Sequence, residues 1–469
     1  MRPLILSLLL CVSFSSYAVS LPTINALLPE GHQLALSVVD PSTNQTRHTF
    51  SANKLLPPAS TQKLVTALAV TLTLPEHFRF TTQLTVAQDN LVIHFSGDPT
   101  LTRSDLKGLL QQARQKGIRV IKGDLWIDNT AFSGYERAIG WPWDILGVCY
   151  SAPSSAVVLE HNCFQGSIYT DSRKGTTRTF VPEHQPVTVT TDARTVSRNE
   201  QKRTHCELEL YTYEHNRYHL SGCLPPRKDP LPLKFALQDP THYVKSVLNA
   251  LLRETGIKLL GTIRVGKPVY RSQLIASHHS VTRNTLLNKM LKRSDNLIAD
   301  NLLKTLGRKT YQVAGTFQNG VAAVKETLLE KTGIDLKTAV LVDGSGLSRN
   351  NRMTAEQLIA VLSYIYRHPE LGILDMLPVA GIDGTLRYRQ SVRKYPIKGK
   401  LRAKTGTLFG SYNLAGLIET ESGKPLLVAQ LVANYHLPES EKPTPRGASP
   451  ISQFEYALYH ALFKSELTR

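Results

Sequence analysis

The sequence PPASTQKLVTALAVTL at residues 57–72 places a serine and a lysine directly ahead of an apolar helical run. The proline pair interrupts the preceding chain, and the apolar residues from Leu64 onward predict a helix. Ser60 and Lys63 are three positions apart, so one helical turn puts both side chains on the same face. The pattern predicts a serine nucleophile beside an amine base. Burial or a nearby cation would have to lower the pKa of the lysine before it could accept a proton at neutral pH.

The Ser-x-x-Lys spacing is weak by itself, because residues 104–107 (Ser-Asp-Leu-Lys) repeat it. There we expect Ser104 to be an ordinary helix N-cap. The case for Ser60 therefore depends on other segments of the chain.

Two further triplets supply the groups that such a nucleophile needs. Ser294-Asp295-Asn296 falls between two helical runs, where a hydroxyl and an amide can be presented together. Lys404-Thr405-Gly406 lies on a predicted strand, where Lys404 can bind a carboxylate and glycine lets a substrate backbone approach. A second copy, Lys331-Thr332-Gly333, follows a helix, and its glycine is predicted to be a C-cap.

A hairpin near the start and a meander near the end organise the chain. Strands are expected at residues 32–40, 46–51, 401–407, 412–419 and 425–433. Helices are expected at residues 103–116, at 285–331 with breaks at Ser294 and Gly315, and at 453–463. If the hairpin pairs with the meander, both chain ends share one antiparallel sheet covered by helices. The region between the first helix and about Val265 is then an excursion.

The N-terminus is typical of a secretory signal peptide. Arg2 precedes an apolar run at residues 4–14, and Ser16-Tyr17-Ala18 offers a cleavage site, so residues 1–18 are predicted to be removed. The alternative is an uncleaved anchor helix, although the apolar run is too short to span a bilayer.

The 469 residues, 41% of them hydrophobic, suffice for two or three domains with cores. The net charge of +18 would suit nucleic acid, but an exported chain with scattered Lys and Arg argues against it. An anionic envelope polymer is the better partner class, and weak membrane-surface association stays open. Plain solubility explains the charge at least as well.

Four cysteines remain after the predicted cleavage: Cys149, Cys163, Cys206 and Cys223. An even number in an exported chain suggests two disulfides with three pairings, of which Cys149–Cys163 and Cys206–Cys223 close the shortest loops. The alternative is four buried thiols. His278-His279 and the cluster at residues 160–163 lack a metal-ligand pattern, so no metal and no cofactor is expected.

The three triplets and several neighbouring motifs resemble the class C low-molecular-mass penicillin-binding proteins, which are D-alanyl-D-alanine carboxypeptidases and endopeptidases. The motifs are Pro58-Ala59-Ser60-Thr61-Gln62-Lys63, Gly140-Trp141-Pro142-Trp143, Gly222-Cys223-Leu224-Pro225, Lys292-Arg293-Ser294-Asp295-Asn296, Asp343-Gly344-Ser345-Gly346-Leu347-Ser348-Arg349 and Ala403-Lys404-Thr405-Gly406. The resemblance covers nearly the whole mature chain.

The resemblance implies a multidomain α/β fold in the periplasm. Its β-lactamase/transpeptidase-like domain would be an antiparallel sheet flanked by helices, with two small inserted domains. The implied boundaries are residues 19–68 and 266–469 for the peptidase domain, 69–93 and 161–265 for inserted domain II, and 94–160 for inserted domain III. The substrates would be peptidoglycan peptides that end in D-Ala-D-Ala or are cross-linked, and β-lactams would bind covalently.

The resemblance also implies a role for each site residue. Ser60 would be acylated with Lys63 as its base, and Ser294 would relay a proton to the leaving amine. The residues expected to bind substrate are Asn296, Lys404, Thr405, Gly406, Thr407 and Arg349. The backbone N–H groups of Ser60 and Thr407 would form the oxyanion hole. For Arg349, which would meet the stem-peptide side chain, an exposed loop arginine is the equal alternative.

Two positions depart from the family pattern. The acidic residue expected after Trp143 is replaced by Ile145, with Asp144 one position earlier, and Phe409 stands where glutamine is common. Both changes affect the expected recognition of the stem-peptide side chain. The competing functions are a β-lactamase and a penicillin-binding sensor without turnover. Intact Lys63, Ser294 and Lys404 argue against the sensor.

Overall fold

The computed structural model describes residues 19–269, 271–438 and 447–468, and the predicted signal peptide at residues 1–18 lies outside this part. The helices are α1 (Leu21–Asn25), α2 (Lys63–Thr73), α3 (Arg103–Gln115), α4 (Arg198–Thr204), α5 (Pro240–Thr255), α6 (Arg283–Arg293), α7 (Asn296–Tyr311), α8 (Phe317–Thr332), α9 (Ala355–Arg367) and α10 (Pro450–Lys464). Within the described ranges, no helix has the length and apolarity that crossing a bilayer requires.

The strands are short and are spread over the whole chain. They are β1 (Val19–Ser20), β2 (Gln33–Asp40), β3 (Gln45–Phe50), β4 (Thr81–Ala87), β5 (Asn90–His94), β6 (Val120–Ile121), β7 (Leu125–Asp128), β8 (Cys163–Asp171), β9 (Thr176–Phe180), β10 (Thr188–Thr191), β11 (Arg194–Thr195), β12 (Leu208–Tyr213), β13 (Arg217–Leu224), β14 (Leu231–Ala236), β15 (Lys258–Leu259), β16 (Ile263–Val265), β17 (Gln273–His279), β18 (Leu401–Leu408), β19 (Ser411–Glu419), β20 (Pro425–Ala433) and β21 (Leu467–Thr468).

The central sheet is built from both ends of the chain. Its order is β18–β19–β20–β2–β3, and each neighbouring pair is antiparallel, which confirms the predicted pairing of hairpin and meander. Leu34, Leu36 and Val38 join the core under α1 and α10, whereas Ala35 and Val39 join the core under α2 and α9. Burial on both faces explains why β2 is apolar along most of its length.

Helices α6, α7 and α8 confirm the predicted helical stretch with two breaks. Helix α6 ends at Ser294, which has a left-handed φ of 58°. Asp295 follows at once as the N-cap of α7, because its side chain accepts a hydrogen bond from the Ile298 N–H at 3.0 Å. A left-handed residue joined directly to an N-cap reverses the chain in little space. The side chains of Ser294 and Asn296, on either side of Asp295, therefore project from this tight junction.

The excursion forms sheets of its own. One has the order β16–β7–β5–β4–β17, and its edge strand β17 comes from beyond Val265, the expected end of the excursion. A second has the order β14–β8–β9, and β13 pairs with β10, β11 and β12 in a third. Helices α3 and α5 share an apolar core with these strands. The proposed division of this region into two inserted domains stays a prediction.

The prediction that Ser104 caps α3 is wrong. Thr102 is the N-cap, because its side chain and that of Asp105 each accept a backbone N–H in a capping box.

The predicted disulfides are confirmed: Cys149–Cys163 and Cys206–Cys223 have Cα–Cα distances of 5.4 and 5.8 Å.

Candidate active site

Three segments meet around Lys63: the turn that carries Ser60, the α6–α7 junction and strand β18. Ser60 is half-buried in a 3-10 turn (Ala59–Gln62), and Lys63 begins α2 fully buried. The Nζ atom of Lys63 lies 2.9 Å from Ser60 Oγ, 2.6 Å from Asn296 Oδ1 and 2.6 Å from the backbone carbonyl oxygen of Ser345. The structure thus brings together a serine, a lysine and an asparagine from two distant motifs.

As an ammonium, Lys63 can donate to all three oxygens, and as a neutral amine it can keep its donor bonds to Asn296 and Ser345. A neutral amine has two N–H groups and one lone pair, and the oxygens of Asn296 and Ser345 can only accept. The lone pair is therefore left for the Ser60 hydroxyl. Burial lowers the pKa of Lys63 from 10.5 to about 8, although three nearby carboxylates act in the opposite direction. This lysine can accept a proton near neutral pH.

Asn296 links the lysine to the excursion. Its Oδ1 accepts from Lys63, and its Nδ2 donates to the backbone carbonyl of Tyr150 at 2.7 Å. Because Lys63 requires an oxygen and the carbonyl requires a donor, both contacts orient the amide in the same way.

Lys404 holds the second hydroxyl of the site. Its Nζ lies 2.9 Å from Ser294 Oγ and 2.8 Å from the Thr405 carbonyl oxygen, and the side chain is fully buried. Burial, followed by the charges of Lys63 and Arg389, holds the pKa of Lys404 well below its usual value. An anion beside this amine would raise the pKa of Lys404 again.

The rest of the Lys-Thr-Gly triplet lines the same strand. Thr405 Oγ1 donates to Thr385 Oγ1 at 2.8 Å. A Cβ on Gly406 would lie 2.7 Å from the Pro58 carbonyl oxygen, so only glycine allows β18 to pass this close to the Ser60 turn. Thr407, the next residue, is exposed.

The loop at residues 343–349 is built on one buried carboxylate. Asp343 accepts the backbone N–H of Gly346 at 2.8 Å, the N–H of Ser348 at 2.7 Å and the indole N–H of Trp141 at 2.9 Å. Two motifs that are far apart in the sequence are joined by this side chain.

Asp300 on α7 fixes the same loop from the other side. Its Oδ1 accepts the N–H groups of Gly344 and Ser345 at 2.8 and 2.9 Å. Burial raises the pKa of Asp300 well above its usual value. The two bonds hold the Ser345 carbonyl against Lys63.

Aromatic and charged side chains from separate loops lie near one another: Arg349 is close to Phe409, and its charge acts on Tyr150 together with that of Asp144. The Arg349 guanidinium is 5.6 Å from the ring centroid of Phe409, which is 78% exposed. Partial burial and the charge of Asp144 raise the pKa of the Tyr150 hydroxyl, and Arg349 opposes them. Ile145 packs against the apolar core beside α2.

Sequence reasoning missed several groups that shape this site. Ser345 contributes a backbone carbonyl, which leaves no signal in residue type. Asn413 donates to the carbonyls of Pro57 and Pro58 at 2.9 and 2.8 Å, tying β19 to the nucleophile turn. The signal in the sequence was an asparagine within a mostly apolar strand, because such an amide is buried only when it has hydrogen-bond partners, and Asn413 is fully buried. Over residues 19–269, 271–438 and 447–468, no group of three His, Cys, Asp or Glu side chains could hold a metal ion.

Comparison with known proteins identifies related sequences and structures. The profile of the D-Ala-D-Ala carboxypeptidase 3 (S13) family matches residues 21–457. D-alanyl-D-alanine carboxypeptidase DacB of Haemophilus influenzae is 34% identical over 471 residues, covering 98% of this chain and 97% of that protein. The crystal structure of penicillin-binding protein 4 (dacB) from H. influenzae has a TM-score of 0.88 at 34% identity, covering 94% of this chain and 99% of that one. Its crystal structure in complex with a β-lactam has a TM-score of 0.83 at 32% identity with the same coverage.

Proposed function

The chain belongs to the D-Ala-D-Ala carboxypeptidase 3 (S13) family, and we propose that it removes the terminal D-Ala of peptidoglycan stem peptides through an acyl-enzyme on Ser60. The observation that carries the proposal is the position of the buried Lys63 amine, 2.9 Å from Ser60 Oγ with its other contacts on acceptors.

Acylation begins with proton transfer from Ser60 to Lys63. As the amine takes the proton, Ser60 Oγ attacks the carbonyl carbon of the penultimate D-Ala. The backbone N–H groups of Ser60 and Thr407 stabilise the oxyanion that develops. Asn296, oriented by Lys63, binds the backbone of the peptide.

Expulsion of D-Ala requires a proton on its nitrogen. Ser294, whose hydroxyl is 2.9 Å from Lys404 Nζ, gives its proton to the D-Ala nitrogen as the C–N bond breaks and is reprotonated by the proton that Lys63 took from Ser60. Water then enters the vacated position and gives a proton to Lys63 as its oxygen attacks the ester carbonyl. Lys63 returns that proton to Ser60 Oγ as the ester bond breaks, and the shortened peptide leaves.

Recognition of the free C-terminus is assigned to Lys404 and Thr405. A substrate carboxylate beside this buried amine opposes the effect of burial and raises the pKa of Lys404, which favours the ammonium that binds the carboxylate. Gly406 lets the substrate backbone approach β18. Arg349 meets the side chain of the stem peptide, beside Phe409.

We extend the proposal to endopeptidase cleavage of cross-links. A cross-linked substrate is bulkier than a linear stem peptide and needs an open entrance. Trp143, Tyr150 and Phe409 are 84%, 54% and 78% exposed, which leaves their surfaces accessible to such a substrate. Purified cross-linked dimers, digested and resolved by mass, test this step separately from release of D-Ala.

Covalent inhibition by β-lactams follows from the same chemistry. Ser60 attacks the ring amide, and the tethered leaving amine blocks water, so the ester persists. The periplasm is the proposed location, because the sequence carries a predicted signal peptide and the two disulfides suit an oxidising compartment.

The decisive experiment combines two substrates with a matched pair of variants. With excess penicillin, the wild type should gain one adduct on the peptide that contains Ser60. On a peptide ending in D-Ala-D-Ala, Ser60→Ala should lose several orders of magnitude of activity, whereas Ser104→Ala, at the repeated spacing, should change neither result. An adduct elsewhere or an active Ser60→Ala variant would refute the mechanism. Fast turnover of penicillin would instead identify a β-lactamase.

A further inference from the structure

The excursion contains the same tripeptide turn twice. Glu160-His161-Asn162 and Glu214-His215-Asn216 are both 3-10 turns that lead directly into a strand, and their histidines have left-handed φ values of 62° and 57°. In both turns the asparagine is fully buried, and its side chain bonds to backbone groups. The asparagine therefore fixes the conformation of each turn, and the histidine side chain is available for other contacts.

The two imidazoles have different surroundings. His215 is exposed and lies 4.6 Å from the ring of His242, measured between centroids. His161 reaches the active-site junction: its Nε2 is 3.1 Å from Asp295 Oδ2, and its Nδ1 is 3.1 Å from the Pro99 carbonyl oxygen.

Both ring nitrogens of His161 face acceptors. A neutral imidazole has one N–H, so it could satisfy the carbonyl or the carboxylate, but not both. The imidazolium satisfies both. Burial by itself would lower the pKa of His161, but the charge and hydrogen bond of Asp295 outweigh burial and raise it. For Asp295, burial is likewise outweighed by His161, and the pKa is lowered.

Asp295 is the middle residue of the Ser294–Asn296 junction. Its Oδ1 caps α7, and its Oδ2 receives His161. The residues on either side contact Lys404 and Lys63. Asp295 therefore anchors the junction whose two flanking residues make the contacts Ser294–Lys404 and Asn296–Lys63. Loss of that anchor would disturb both contacts.

We propose that His161, as an imidazolium held between Pro99 and Asp295, is a positioning residue that orients the Ser294–Asn296 junction and balances the charge of Asp295. The inference rests on the proposed function, because the junction carries the proposed proton relay and the partner of the base.

The charge balance has a consequence for Lys63. The charged side chains that act on His161 are Asp295 and Lys289 of α6, while Lys63 acts on Asp295 from α2. Asp295 in turn raises the pKa of Lys63. Without the imidazolium, the carboxylate is uncompensated, and the pKa of Lys63 should rise by about one unit.

The test compares His161→Gln with the matched control His215→Gln. For D-Ala release from a diacetylated Lys-D-Ala-D-Ala peptide, kcat/KM of His161→Gln should be about tenfold below wild type at pH 6, where His161 carries its charge, and should recover above about pH 9. The acid limb moves to higher pH because Lys63 needs a higher pH to become neutral. The profile of His215→Gln should match that of the wild type. An unshifted limb in His161→Gln, or a loss that high pH does not recover, overturns the proposal.

A second measurement is independent of activity. In wild-type protein with 15N-labelled histidine, the His161 ring, assigned by its absence from His161→Gln or from the folded His161→Asn variant, should titrate above the ordinary value near 6.5. Titration below that value overturns the proposal. If the wild type does not release D-Ala at all, the proposed function fails, and the titration still decides whether His161 and Asp295 form an ion pair.

Discussion

Acylation of Ser60 should depend on pH through Lys63. Burial lowers the pKa of this amine from 10.5 to about 8. At pH 7 about a tenth of Lys63 is then neutral, whereas about one part in 3000 of an ordinary lysine would be. Burial therefore increases the proton-accepting form about 300-fold. The second-order rate of acylation should rise about tenfold per pH unit below pH 8 and level off above it.

The assay is stopped-flow acylation by a chromogenic β-lactam from pH 6 to 10, under single-turnover conditions. Lys63→Ala should lose the acid limb and reduce the plateau rate by about 10²–10⁴-fold, the range for removal of a positioned base. A rate that is constant between pH 6 and 8, or a midpoint near that of a free lysine, would refute the assignment of Lys63 as the base.

Lys304 provides the control for this profile. It is a second buried lysine whose pKa burial lowers to about 8, but its Nζ donates to the backbone carbonyls of Tyr135 and Ser154, with no contact to Ser60. Lys304→Met should keep the midpoint of the acylation profile. If the midpoint moves instead, the limb does not report on Lys63.

The remaining predictions concern substrate binding and stability. Lys404→Ala should weaken hydrolysis of a substrate with a free C-terminal carboxylate far more than that of its amidated analogue, and Lys331→Ala, in the second Lys-Thr-Gly copy, should affect neither; equal losses would make Lys404 a structural residue. Gly406→Ala should lower acylation, because its methyl would lie 2.7 Å from a backbone carbonyl of the turn before the nucleophile; an unchanged acylation rate would contradict this close approach. Cys206→Ser with Cys223→Ser should cost about 3 kcal/mol in unfolding free energy, measured with denaturant, because that disulfide closes a loop with a separation of 17 residues. A loss of unfolding free energy near zero would mean that the loop between Cys206 and Cys223 is already compact in the unfolded chain without the disulfide.

Local patterns predicted the elements around the site well. The strand at Pro425–Ala433 and the breaks in the helical stretch agree with the structure, because a short apolar run and helix-ending residues act over a few positions. The disulfide pairing was also predictable, since short loops limit which cysteines meet. The N-cap of α3 was not, because Ser104 and Thr102 are both good caps, and reciprocal bonding to Asp105 decided between them.

The sequence by itself determined which chemical groups are present: four Ser-x-x-Lys spacings, which begin at Ser51, Ser60, Ser104 and Ser391, two Lys-Thr-Gly triplets and a chain whose ends can pair. Only the tertiary structure shows which lysine at this spacing lies in the active site. Lys107 is 37% exposed and pairs with Glu254 at 3.0 Å. Lys63 has the same spacing from its serine, but it is fully buried against Asn296 and Ser345. Burial depends on segments that are hundreds of positions away in the chain, and burial is what distinguishes Lys63 from Lys107, which has the same spacing from its serine.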